Sequence, residues 1–167
     1  MAKWSFSNSS WTPTAVGDTT TMTANGACFI QGGSATQRLV LSEFYQGGLA
    51  GASSPTFMVA ARDSTVAVTS ITLGTNGHNA SLDGATAALA APQIPGFSAT
   101  TMPQRATTLH LLELGYNAFG GIVRWVAAPG FELSIVGLSA NTGEISHSAF
   151  TGGTPGLCNT HILYEVM

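Results

Sequence analysis

The chain has 167 residues, a length typical of one domain, and only 8% of them are charged, where about 25% is usual. The formal net charge is -3, and the five basic residues are spread along the chain. Because nucleic-acid binding depends on clustered Lys and Arg side chains, this composition predicts no nucleic-acid partner.

The first segment, residues 1–20, is rich in Ser and Thr and carries the aromatic residues Trp4, Phe6 and Trp11. Trp4 and Phe6 alternate with serines, which is typical of an extended segment with one apolar face. We expect an extended N-terminal arm whose aromatic side chains contact a neighbouring subunit; in the alternative they fold back onto the chain's own core. The segment has no apolar region typical of a secretory signal, and no stretch approaches the about 18 apolar residues of a membrane span.

Short β-rich runs follow, separated by clusters of Gly, Pro, Asn and Ser. The dipeptide Asn25-Gly26 predicts a hairpin within residues 22–31. Strands are predicted over residues 38–45, 56–61 and 65–73, with a break at Arg62-Asp63. We interpret this pair either as a salt bridge that stabilises a turn or as a contact to a neighbouring subunit.

A long excursion spans residues 74–105 and contains three prolines, so it cannot be a central strand. Within it, the alanine-rich residues 82–91 predict the one short helix of the chain. A connection of about 30 residues is longer than usual and normally has a function, so we expect an interaction element. Its candidate contact residues are Pro92, Ile94, Pro95 and Phe97.

The C-terminal half has the clearest strand patterns. Strands are predicted over residues 107–114, 122–127, 131–138, 145–150 and 160–167. The second and third of them flank Ala128-Pro129-Gly130, a turn sequence. The whole chain, residues 1–167, is therefore predicted to be one all-β domain, a jelly-roll-like sandwich or barrel of about eight or nine strands with one short helix at most.

Motifs for catalysis or metal binding are missing from the sequence. It contains no phosphate-binding loop, no G-x-S-x-G nucleophile motif and no local metal signature. Cys28 and Cys158 could form one bridge, but two buried free thiols are favoured. His147 and His161 could meet on neighbouring strands, although isolated histidines on strands are usually ordinary surface or core residues. We therefore expect neither an enzyme nor a bound cofactor or metal.

The best carboxylate pair for a two-acid glycosidase is Glu113 and Glu132, since both lie in predicted strands. Arg124 lies between them in sequence, on a strand predicted to be a neighbour. An ion pair between Arg124 and one of these acids is the favoured interpretation.

Four C-terminal segments resemble capsid decoration (cement) proteins of tailed bacteriophages. They are NAFGGIVRWVAAPG at 117–130, TGE at 142–144, AFTGGTPG at 149–156 and HILYE at 161–165. The resemblance covers the last third to half of the chain. It implies a jelly-roll or related β-barrel subunit that forms trimers on the outer capsid lattice and bridges neighbouring major capsid proteins. It also implies an N-terminal arm that reaches an adjacent subunit.

Low charge over the whole chain favours association, since molecules with little charge repel each other weakly. Together with the resemblance, it predicts a virion structural protein that decorates and stabilises a phage capsid. Its expected partners are the major capsid protein and copies of itself, with a trimer favoured and assembly in the host cytoplasm. The candidate interface residues are Trp4, Phe6, Trp11, Arg62, Asp63, Pro92, Ile94, Pro95 and Phe97.

Two alternatives remain open. In a carbohydrate-binding β-sandwich, either lectin-like or a head-fibre module, Trp11 or Trp125 would stack on sugar rings. An ordinary β domain with a surface rich in Ser and Thr is also compatible with the composition.

Overall fold

The computed structural model describes residues 2–13, 20–24, 26–83, 94–151 and 153–167. Within these ranges the chain forms eleven β-strands and no helix. The strands are β1 (Ala2–Trp11), β2 (Ala27–Gln31), β3 (Arg38–Gly48), β4 (Pro55–Thr65), β5 (Gly77–Ser81), β6 (Ile94–Gly96), β7 (Gln104–Asn117), β8 (Ile122–Val126), β9 (Leu133–Val136), β10 (Glu144–Phe150) and β11 (Cys158–Val166).

The strands form two antiparallel sheets. The first sheet has the order β5-β1-β11-β3-β8, and β9 pairs with β3 beside β8. The second sheet has the order β6-β2-β10-β4-β7. The two sheets pack on each other as a β-sandwich, because one hydrophobic cluster combines side chains of both, such as Phe44 of the first sheet and Ile145 of the second.

Eight of the eleven strands pair in a nested way. β1 pairs with β11, β2 with β10, β3 with β8 and β4 with β7, and all four pairs are antiparallel. Each pair is therefore enclosed in sequence by the pair before it. This nesting, divided over two sheets, confirms the predicted all-β, jelly-roll-like sandwich. The short strands β5, β6 and β9 lie at the margins of the sheets and account for the number of strands exceeding the predicted eight or nine.

The N-terminal segment is a strand inside the first sheet. β1 lies between β5 and β11, with direct pairing of Phe6 to Ile162 and to Asn79. Phe6 is 0% exposed and Trp11 is 2% exposed, and both belong to the hydrophobic core. Of the two interpretations of these aromatic residues, the structure therefore shows that they fold back onto the chain's own core. The alternation with polar residues gives β1 one apolar face, and the second sheet covers that face.

The predicted break at Arg62-Asp63 and the predicted strand over residues 65–73 are wrong. β4 continues through both residues to Thr65, since Asp63 is paired to Arg105 of β7 in the sheet register. Beyond β4 the chain makes only single bridges at Val68 and Thr72. Positive φ angles at Thr69 and Ser70 interrupt any extended strand there.

The Asn25-Gly26 hairpin is also not formed as predicted. β2 pairs with β10 and β6, and not with the residues that precede Asn25, which itself lies outside the described residues. In the excursion, β5 and β6 are edge strands, in agreement with the expectation that it cannot supply a central strand. Most of the predicted helix, residues 84–91, and also Pro92 lie outside the described residues.

Candidate interaction surface

The free edge of the first sheet exposes apolar side chains to solvent. Side chains alternate along β8, so Ile122, Arg124 and Val126 are exposed while Val123 and Trp125 are half-buried. The exposed fraction is 70% for Ile122 and 52% for Val126. The inner side of β8 packs on the core through Trp125, whose ring lies 6.0 Å from that of Phe44.

Exposed apolar residues continue along the same edge into β9 and its flanking loops. Phe131 is 77% exposed, and Val136 and Leu138 are also exposed. Of the thirteen large apolar side chains that are exposed in the described part of the chain, seven lie between residues 109 and 138. We define the edge surface as Ile122, Val126, Phe131, Val136 and Leu138.

A polar cluster adjoins the edge surface on the outer face of the first sheet. Arg124 forms an ion pair with Glu43 and lies 5.0 Å from the ring centre of Tyr45. The Tyr45 ring lies 5.9 Å from that of His161. These residues come from three neighbouring strands, because Tyr45 of β3 pairs with Arg124 of β8 and with His161 of β11. The arrangement therefore follows directly from the strand order.

The charges of this cluster support each other. The guanidinium of Arg124 holds the pKa of Glu43 below its usual value, and Glu43 in turn raises the pKa of Arg124. Glu43 also raises the pKa of Tyr45 through a hydrogen bond, while burial lowers the pKa of His161. At neutral pH the outer face thus presents a paired Arg-Glu, a neutral Tyr and a neutral His. Tyr and Arg are enriched among the residues that carry most of the binding energy of protein interfaces.

The partner of Arg124 differs from the prediction. Arg124 pairs with Glu43 because β8 lies beside β3. Glu113 instead contacts Nδ1 of His110 at 2.5 Å, and Glu132 accepts a hydrogen bond from the backbone of Gly130 at 3.1 Å.

The second sheet has one long edge strand, β7, which spans 14 residues and is the last strand of its sheet. Its first residues are paired on the outer side, since Thr21 bridges Gln104 and the carbonyl of Thr20 accepts from the amide of Arg105 at 2.8 Å. Leu109, further along, is exposed. A long edge strand with exposed apolar side chains is a template for pairing with another chain.

The residues predicted to form an interface are not gathered on one exposed surface, although the rings of Trp11 and Phe97 lie 6.3 Å apart in the core. Phe6, Trp11 and Phe97 are buried in the core, and Asp63 is 0% exposed. Trp4 and Arg62 are half-buried, Trp4 against the core, and Ile94 and Pro95 lie in the edge strand β6. A sequence signal for the edge surface does exist, because both faces of residues 122–126 carry apolar side chains. A strand that is buried on one face only has no structural need for apolar side chains on its other face.

Asp63 and Glu144 instead form a buried pair of carboxyl groups. Oδ1 of Asp63 accepts a hydrogen bond from Ser146 at 2.5 Å, and Oε2 of Glu144 accepts one from Gln31 at 2.9 Å. The backbone amide of Ala67 also donates to Glu144, at 3.1 Å to Oε1. Burial raises the pKa of both acids, and the neighbouring Asp63 carboxyl raises the pKa of Glu144 further. Glu144 thus fastens the segment that follows β4 to the second sheet.

Other candidates from the sequence have structural roles. Cys28 and Cys158 are free and buried, as predicted. His147 faces the core between Trp11 and Phe44, whereas His161 lies on the outer face of the first sheet, so the two do not form a pair. Trp11 and Trp125, the rings proposed to stack on sugars, both pack in or against the core.

In the described ranges, no group of three His, Cys, Asp or Glu side chains could hold a metal ion. The same ranges contain no helix long and apolar enough to cross a membrane. No protein-family model matches the chain, and no curated protein matches it in sequence.

Proposed function

We propose that this chain is a structural subunit that works by packing against other protein surfaces, and that its assembly is a phage capsid which it decorates and stabilises as an oligomer. The observation that carries the proposal is the edge surface, where apolar side chains up to 77% exposed adjoin the contact between Arg124 and the Tyr45 ring. An exposed apolar strip of this kind on a soluble domain commonly marks a protein interface.

The composition supports association over catalysis. Covering apolar surface gains about 25 cal/mol per Å², and many small contacts on a lattice add avidity to each other. A chain with 8% charged residues has little electrostatic repulsion to overcome when copies approach.

The phage capsid is the favoured assembly because of the resemblance of the C-terminal segments to decoration proteins. Jelly-roll folds occur in capsid proteins and in lectins, so the fold alone does not choose between them. The lectin alternative is weakened because Trp11 is 2% exposed and Trp125 packs against the core. No described feature favours it more specifically.

The test uses purified phage particles encoded by the genome that carries this gene. We expect quantitative mass spectrometry to find the chain in a fixed ratio to the major capsid protein. After the particles are stripped of it with mild denaturant, recombinant chain is expected to rebind. Absence of the chain from particles would contradict the proposal.

Variants connect this test to the surface. The double substitution Ile122→Ser and Phe131→Ser is expected to lower rebinding at least tenfold, because it removes two of the most exposed apolar side chains of the edge surface. The matched control is Leu49→Ser, whose side chain is 54% exposed outside the edge surface. Equal rebinding of both variants would show that the edge surface is not the contact.

A further inference from the structure

One end of the sandwich is built from segments without charged residues. The C-terminal ends of β3, β7 and β10 and the N-terminal ends of β4, β8 and β11 meet there. The segments that form this end are residues 46–57, 115–123 and 149–160, and none of their residues is Asp, Glu, Lys or Arg. These segments can therefore leave water without burying a charge.

The charged residues of the paired strands lie further along the sheets. Those nearest to the charge-free end are Glu43, Glu113 and Arg124, and Arg124 is paired with Glu43. The others lie towards the opposite end of the strands and are Lys3, Arg38, Arg62, Asp63, Arg105, Glu144 and Glu165. Charge is thus distributed unevenly along the length of the sandwich.

Three large apolar side chains are exposed to solvent at the charge-free end. The exposed fraction is 58% for Phe119, 54% for Leu49 and 44% for Leu157. Leu49 lies opposite Leu157, since its amide donates to the carbonyl of Leu157 at 2.6 Å. Phe119 follows Ala118, whose carbonyl accepts from the amide of Ala50 at 2.9 Å. The three residues are therefore neighbours, and we call them the apolar tip.

The backbone of the apolar tip is hydrogen-bonded within its own loops. Beyond the two bonds just described, the amide of Ala118 donates to the carbonyl of Ser54 at 2.9 Å. The amide of Phe119 donates to Oδ1 of Asn117 at 3.0 Å. An unbonded backbone group is costly in a hydrocarbon environment, and these amides are already bonded without water.

We propose that the apolar tip inserts into the surface of a lipid bilayer with electrically neutral headgroups. Phe and Leu are side chains that peripheral proteins bury at the boundary between headgroups and acyl chains. Protein interfaces obtain specificity from charge complementarity, which the charge-free end does not offer. A net charge of -3 opposes attraction to an anionic membrane. This binding uses residues outside the edge surface and does not depend on the proposed function.

Flotation of the purified full-length chain with phosphatidylcholine vesicles tests the proposal. The wild type is expected to float with the vesicles at low and at high salt. Addition of phosphatidylglycerol is expected to leave the bound fraction unchanged or lower, because no basic group takes part in the contact.

Variants assign the binding to the apolar tip. The double substitution Leu49→Ser and Phe119→Ser is expected to lower the partition coefficient about tenfold, because it removes two of the three inserting side chains. Both side chains are exposed, so the circular dichroism spectrum is expected to match the wild type. The matched control is Phe131→Ser, which removes a 77% exposed ring from the edge surface and is expected to float like the wild type.

Fluorescence distinguishes insertion from loose attachment. Vesicles whose acyl chains carry bromine quench an indole ring that lies within the bilayer, so the additional emission of Phe119→Trp is expected to be quenched. The emission of the wild type is expected to stay unchanged, since Trp11 is buried and Trp4 and Trp125 are half-buried. Emission of Phe119→Trp that brominated lipid leaves unchanged would overturn the proposal.

Three further results would also overturn it. A wild type that floats with no vesicle composition would show that the apolar tip does not bind lipid. Flotation that needs phosphatidylglycerol and is lost in salt would assign the binding to charged groups. An unchanged flotation of the Leu49→Ser and Phe119→Ser variant, together with a lower oligomeric mass in light scattering, would assign the apolar tip to a contact between copies. Each of these results leaves the test of the edge surface on phage particles unaffected.

Discussion

The buried carboxyl pair allows a pH prediction with a definite sign. Replacing Glu144 by Gln keeps the shape of the side chain and supplies an amide that can donate to Oδ2 of Asp63. That oxygen is buried and has no hydrogen-bond partner among the described residues, and the Glu144 side chain interacts with the Asp63 carboxyl group. The amide oxygen can still accept from Ala67. The variant therefore mimics the protonated pair at every pH.

The sign follows from burial. Desolvation raises the pKa of Glu144 above its ordinary value of 4.5, so the folded protein holds a proton that the unfolded chain has released. The stability linked to this proton is complete in acid and is lost as the pH rises above 4.5 until the folded pair releases it. One retained proton changes the free energy of unfolding by about 1.4 kcal/mol for each pH unit. Between pH 6 and pH 8, the wild type is expected to lose about 3 kcal/mol relative to Glu144→Gln.

Urea denaturation at several pH values measures this difference. His147 has its pKa lowered by burial and loses stability in acid, but this effect is common to both proteins and cancels in the comparison. The control is Glu165→Gln, which removes a half-buried carboxyl group near the end of β11. This variant is expected to follow the wild type. If Glu144→Gln ran parallel to the wild type over this range, the folded protein would not retain a proton on Glu144.

Other predictions concern packing and the surface. Phe6→Ala is expected to lower the free energy of unfolding by about 3–5 kcal/mol in urea titrations, since the ring is fully buried in the core; a loss under 1 kcal/mol would contradict the placement of β1. Gly48→Ala is expected to destabilise strongly in thermal melts, because a Cβ there would overlap the carbonyl of Ala118, and an unchanged melting temperature would refute that approach. Arg124→Ala is expected to change stability by at most about 1 kcal/mol, since its pair with Glu43 is solvent-exposed on the Arg side. Cys28, whose burial raises its pKa, is expected to resist alkylation in the native protein and to react in denaturant, and rapid native labelling would show that it is accessible.

The all-β fold could be predicted because strand periodicity is a local property. The pattern of β11 alternates fully, with Ile162, Tyr164 and Val166 buried against half-buried neighbours. β10 was harder to recognise, since Ser146, His147 and Ser148 are polar and yet buried. All three hydrogen-bond to side chains on other strands, which no local pattern records.

The candidate site depended on long-range pairing and was mostly missed. The alternation of Trp4 and Phe6 predicted one apolar face for β1 but not which surface covers that face. Likewise, the partner of Arg124 is set by the position of β8 beside β3, and Glu43 is 81 residues away in sequence. Asp63 was singled out only as part of a pair at a predicted strand break, and its partner Glu144 becomes visible only when β4 and β10 are neighbours.

The central claim, that the chain is an assembling structural subunit, is tested most directly by light scattering coupled to size-exclusion chromatography over a range of concentrations. The account predicts that the wild type has the mass of two or more 17.1 kDa chains. The double substitution Ile122→Ser and Val126→Ser on the edge surface is expected to shift the protein to the single-chain mass. A wild type that stays at 17.1 kDa at every concentration would contradict the account.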